Sequence, residues 1–99
     1  MKFEISENKL EKVIFQYLDN KLVVEETKKK YYFLEKGNNE YSLIDVVKLY
    51  DYMVCNIDII LIRELMYFFS INSSKSEDVI RKYVQKTLNI EVTSTWIEY

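Results

Sequence analysis

Tyr41-Ser42-Leu43-Ile44-Asp45-Val46-Val47-Lys48-Leu49-Tyr50-Asp51-Tyr52-Met53-Val54-Cys55 is the stretch on which the architecture turns. Leu43, Val46, Val47, Tyr50, Met53 and Val54 fall at helical spacing behind Ser42, a residue type suited to capping a helix. The same stretch is dense in Val, Ile and Tyr, which favour a pleated, half-buried surface. Two strands turning within Lys48 to Asp51 account for it as well, although that turn lacks Gly, Pro and Asn, the strongest turn formers. We read the stretch as strands, with a helix as the alternative.

The preceding residues support a sheet. Leu22 to Glu25 and Tyr31 to Glu35 are rich in β-branched and aromatic residues. Gly37-Asn38-Asn39 tolerates positive φ and predicts a hairpin whose second arm begins with Glu40 to Ile44. Before them, Ser6 is placed to cap a helix, with Ile5 and Leu10 as a hydrophobic staple. Leu10, Val13, Ile14, Tyr17 and Leu18 share one face of that helix, and Asp19-Asn20 ends it. Met1, Phe3 and Ile5 alternate with polar residues and predict a short strand ahead of it.

The following residues supply helices and a closing strand. Asp58 is placed to cap Ile59 to Phe69, a segment apolar on most sides and hence expected at the centre of the core. Ser74-Lys75-Ser76-Glu77 reads as a capping box, followed by a stripe of Val79, Ile80, Tyr83, Val84 and Leu88. Glu77 and Arg81, and Asp78 and Lys82, are spaced as ion pairs on the wet side. After Asn89, Ile90, Val92, Ser94 and Trp96 alternate with Glu91, Thr93 and Thr95 as a last strand. The sum is one α+β domain over residues 1–99, an antiparallel sheet of three to five strands with about three helices on one face.

The 99 residues hold no His, no Pro, one Gly and one Cys, and this removes most routes to chemistry at neutral pH. A general base would have to be a carboxylate or another group with a strongly shifted pKa. Asp45 and Asp51, placed to face each other across a hairpin, are the pair a small hydrolase would use. Asp51 as a turn residue, Asp58 as a cap and Glu64 on an exposed helix edge are the simpler readings. Cys55 has no His to activate it and is expected to be an inert core thiol. Zinc prefers Cys and His, calcium loops need alternating acidic ligands and phosphate loops need glycines, so neither metal nor cofactor is expected. The expectation is a protein that is not an enzyme.

Binding remains. A net charge of −2 disfavours nucleic acid and anionic membranes. Lys28-Lys29-Lys30-Tyr31-Tyr32 is still the segment to test for nucleic acid, since lysines can pair with phosphates while aromatics stack on bases. Nine Tyr point to a protein partner, because Tyr is enriched at interfaces. Tyr41, Tyr50, Tyr52, Trp96, Ile97 and Tyr99 are the candidates for contact with a second copy or another protein. An AT-rich coding sequence also raises Tyr, Ile, Asn and Lys together, so the excess has a second source. The N-terminus carries acid where a signal peptide is apolar, no run is long enough to span a bilayer, and a lone Cys suits a reducing interior.

Val13-Ile14-Phe15-Gln16-Tyr17-Leu18-Asp19, and Phe68-Phe69-Ser70 followed by Ser76-Glu77-Asp78-Val79-Ile80 to Leu88, carry a further likeness. In these two helical ends the chain resembles small uncharacterised proteins encoded by tailed bacteriophages. The resemblance implies a phage accessory protein acting in the cytoplasm of an infected bacterial cell. It carries over no activity and no functional residue.

Overall fold

The computed structural model describes residues 7–99. The strand expected at Met1, Phe3 and Ile5, the Ser6 cap and the Ile5–Leu10 staple lie outside the described residues. The element order is α1 (Glu7–Lys21), β1 (Leu22–Glu26), β2 (Lys30–Glu35), β3 (Asn38–Leu49), β4 (Tyr52–Asp58), α2 (Ile59–Phe69), α3 (Ser73–Leu88) and β5 (Ser94–Glu98). The fold is α+β, with helices packed on a five-stranded sheet of order β1-β2-β3-β4-β5.

The deciding stretch is a hairpin. Its register pairs Val46 with Cys55 and Leu49 with Tyr52, so the connection is Tyr50–Asp51. With no Gly or Asn available, Tyr50 itself takes φ 29°. That conformation is disfavoured for a bulky residue, and the β-branched arms on either side hold it in place. Gly37, at φ 85°, turns β2 into β3 as its freedom allows. The register slips between Phe33 and Leu34, which face Ile44 and Ser42 respectively. The extra residue, Leu43, is buried in the core beside Ile44.

The sheet is not wholly antiparallel: β5 pairs with β4 in parallel, Cys55 against Thr95 and Ile57 against Ile97. The cause is the α2–α3 crossover, which returns the chain to the end of the sheet where β4 began. The strand expected from Ile90 is also shorter. Asn89 takes a left-handed φ of 54° as the α3 C-cap, and regular pairing starts only at Ser94.

Period-two alternation divides each strand between the sheet's faces. Val24, Phe33, Ile44, Val46, Cys55, Ile57 and Ile97 belong to or pack against one core, with Ile14 and Leu18 of α1, Leu61, Ile62 and Leu65 of α2, and Val79, Ile80, Tyr83 and Val84 of α3. Phe33 lies at its centre, 5.9 Å ring to ring from Tyr83, which in turn lies 5.7 Å from Phe15. Tyr83 also donates a 2.8 Å hydrogen bond to Asp19 of α1.

The helices depart from their sequence patterns where no described element packs against them. Val13 shares the apolar spacing of α1 yet is 53% exposed, because α3 and the sheet cover only the Ile14–Leu18 side. Segment α2 is not a central helix: Leu61, Ile62 and Leu65 are buried, whereas Ile60, Met66, Tyr67 and Phe68 are exposed. Its cap is as expected, Asp58 accepting from the Ile60 amide at 2.8 Å. Asp58→Ala should lower stability by about 1 kcal/mol while Asp58→Asn stays near wild type, as urea denaturation will show. The capping box at Ser74 and Glu77 does not form, since Asn72 caps α3 by accepting from the Lys75 amide at 2.7 Å. Arg81 turns to Asp78 at 2.6 Å, with Lys82 at 3.2 Å from the same carboxylate, and the Glu77–Arg81 pair is not made. Glu64, far from being a free edge, holds Lys21 at 3.0 Å and the Tyr17 hydroxyl at 3.0 Å.

Candidate interaction surface

The described helices pack on one side of the sheet, and among the described residues no helix or strand covers the other side, the open face. Its residues follow from the register: Glu25, Tyr32, Asp45, Asn56 and Trp96 make one row across all the strands. Lys30, Val47, Val54 and Ser94 make the next, and Leu49 pairs with Tyr52 beyond it. Trp96 is 62% exposed and Tyr52 49%. Leu34, also on this side, is 6% exposed and stands outside the main core cluster.

The six aromatic and apolar contact candidates do not form one patch. Tyr50 and Tyr52 lie at the β3–β4 turn. Tyr41 lies at the opposite end, where its hydroxyl donates to the Asp58 carboxylate, a bond that raises the phenol's pKa. Tyr99 follows β5 at that same end and is exposed. The length of β4 separates the two groups, roughly 20 Å. Trp96 stands between them on the open face, and Ile97, the next residue, points the other way into the core.

The lysine segment divides likewise. Lys28 and Lys29 are exposed in the β1–β2 turn. Tyr31 faces the helices, with the Lys48 ammonium 4.2 Å from its ring centre. Tyr32 faces the open side, where Asp45 and Asn56 separate it from Trp96. Alternation therefore prevents the two tyrosines from stacking on the same strand of bases. Asp45 and Asp51 do not meet either. Asp45 accepts from the Ser42 hydroxyl on β3, and Asp51 is exposed in the turn, roughly 13 Å further along by strand rise. Cys55 is fully buried, and burial, then the charges of Asp45 and Glu77, pushes its thiol up to about 12. It is a core side chain. Among the described residues no group of three or more His, Cys, Asp and Glu is arranged to hold a metal ion. No described helix is long and apolar enough to cross a membrane.

The two edges of the sheet differ. Edge β1 ends in exposed Glu25 and Glu26, the kind of charge that discourages pairing with another chain. Edge β5, Ser94-Thr95-Trp96-Ile97-Glu98, has no Lys, Pro or bulge and a single charge, the exposed Glu98 at its end. Beside it runs a groove of about 320 Å³, walled by Ser74, Glu77, Asp78 and Arg81 of α3 and by Thr93, Ser94 and Thr95. The α3 residues are spaced i, i+3, i+4 and i+7 and so share one helical stripe.

Sequence reasoning missed this groove, and it missed Tyr67 and Phe68. These two are 82% and 60% exposed and stack in a chain with Tyr17 on the outer side of α1 and α2. Their signal was the all-round apolar character of α2, which reads as burial when no neighbour is known to be absent. No protein family, curated protein or solved structure matches the chain.

Proposed function

We propose that this protein is a non-catalytic binding module that recognises another protein through the β5 side of its sheet. The observation that supports this reading is the unguarded edge beside an open face, with Trp96 as its largest exposed side chain. Aromatic residues of this kind dominate the energetics of protein interfaces. The partner in this reading is a host or phage protein in an infected bacterial cell, as the resemblance to phage proteins suggests, or a second copy of the chain. Nucleic-acid binding through Lys28, Lys29, Lys30, Tyr31 and Tyr32 is the weaker reading, because the tyrosines lie on opposite faces and Asp45 occupies the row between Tyr32 and Trp96.

Trp96 is exposed, so Trp96→Ala should change stability by no more than about 0.5 kcal/mol. The same change should weaken a captured protein partner, or self-association, at least tenfold, read by analytical ultracentrifugation and titration calorimetry after nuclease treatment. Association that is lost with nuclease, or that is indifferent to Trp96, would defeat the reading.

A further inference from the structure

We propose that the groove between α3 and β5 takes an extended peptide segment bearing a Lys or Arg side chain, which joins the sheet as a sixth strand. This deepens the protein-binding reading above and rests on it. Among the described residues no strand pairs with the outer side of β5, so alternate N–H and C=O groups of Ser94 to Glu98 are turned outward. A strand of that length presents roughly 17 Å of ladder. Main-chain hydrogen bonds along such an edge supply affinity, and side chains of the adjoining helix supply selectivity.

The chemistry of the helix wall states what is selected. Glu77 is partly buried, and its carboxylate makes no hydrogen bond or ion pair among the described residues, because Arg81 is drawn to Asp78. Asp78 is already neutralised by Arg81 and Lys82. The groove therefore holds one uncompensated negative charge, with its strand wall made of small hydroxyl side chains that leave room for a long one. Thr95, on that wall, has a hydroxyl oxygen sealed from solvent with no hydrogen-bond partner among the described residues. A buried polar atom without a partner is destabilising, which leaves this part of the wall short of a hydrogen bond. A second copy is the poorer occupant, since pairing two β5 edges adds Glu98 and a second Glu77 to a site whose acids already outnumber the cations left to balance them.

The test uses the full chain and three fluorescent eight-residue peptides of alternating Thr and Val. One has a central Lys, one a central Glu, and one has the Lys with alternate amides N-methylated. Fluorescence anisotropy should show the Lys peptide binding at least tenfold more tightly than the Glu peptide, and the methylated peptide not at all. In Glu77→Gln the preference for Lys should fall to about twofold or less, while Thr–Val peptide binding itself persists. Amide shifts in ¹⁵N spectra should centre on Ser94 to Glu98. Equal binding of all three peptides, shifts centred on Tyr32 and Val54, binding that appears only when residues 1–5 are removed, or a concentration-dependent dimer that excludes the peptide would each overturn the proposal. If no peptide binds while a Trp96-dependent protein partner is still captured, this inference fails and the protein-binding reading stands.

Discussion

Replacing Phe33 by Ala should lower the unfolding free energy by about 3–5 kcal/mol, the largest single effect expected from one side chain of this protein. Phe33 has no exposed surface, and its ring fills the centre of the layer between sheet and helices, with Tyr83 above it and Val24 and Ile44 paired on either side. Those neighbours are fixed by the β-ladders and by the Tyr83–Asp19 hydrogen bond, so the site can collapse only in part around the lost ring. Domains of this size are stable by about 5–15 kcal/mol, so the variant should be partly unfolded at body temperature. Urea titration followed by tryptophan fluorescence measures it. A loss of less than 1 kcal/mol would mean that Phe33 is not packed as described. Phe33→Leu, which refills most of the volume, should recover over half of the loss.

The second large effect is an alkaline collapse with an absent counterpart near neutrality. With no His, the side chains of this protein have no ordinary titration between about pH 5 and pH 8, and stability should be level across that range. Above it, Cys55 dominates. Its thiol stands at about 12 in the fold, raised from 9.0 by burial first and then by Asp45 and Glu77. Between these values the unfolded chain has lost the proton and the folded chain has kept it, so stability falls as pH rises, by about 1.4 kcal/mol per pH unit. The contribution is intact below pH 9 and amounts to about 4 kcal/mol lost by pH 12.

Other groups add to it with the same sign. Burial, then the bonds to Asp19 and Glu64, raises the phenols of Tyr83 and Tyr17. Burial lowers the Lys21 ammonium, but the hydrogen bond and charge of Glu64 outweigh it and leave the group raised. Each therefore stabilises the fold below its unfolded pKa and ceases to do so as pH climbs through the folded one. In Cys55→Ala the slope of stability between pH 9 and pH 10, where the thiol titrates before the phenols, should flatten by about one proton. A slope unchanged by that substitution would show that another group causes the loss. Dithionitrobenzoate at pH 8 should find the thiol only in urea.

The elements of the fold were legible because local physics agrees with the final packing. Asp58 begins α2 where a cap was expected, and Val79, Ile80, Tyr83 and Val84 are buried as their spacing requires. The deciding stretch forms strands despite its poor turn, since each arm buries an alternating apolar set that a helix would have split. What was not legible depends on neighbours distant in sequence. Nothing in Ser94 to Glu98 states that its partner β4 runs in the same direction, because that follows from where α2 and α3 deliver the chain. Val13, Tyr67 and Phe68 are exposed because no described element packs over them, which no local pattern encodes. The groove was hidden for a related reason. Glu77 had an eligible partner in Arg81 at i+4, and only the geometry shows Arg81 preferring Asp78 at i−3.

The parallel junction between β4 and β5 also sets a high entropic cost for closing the sheet. The β1–β2 and β3–β4 connections are a few residues long, and such hairpins close within microseconds. The β4–β5 junction joins residues 40 apart, as in the contact of the Met53 amide with Thr93, with both α2 and α3 in the loop it closes. The strand that carries Trp96 therefore bears the largest loop-closure cost of the strand pairings in the sheet. A partner bound along it, as proposed above, would do more than occupy a surface: it would hold in place the strand whose pairing spans the longest stretch of chain, so that recognition and closure of the fold would be coupled.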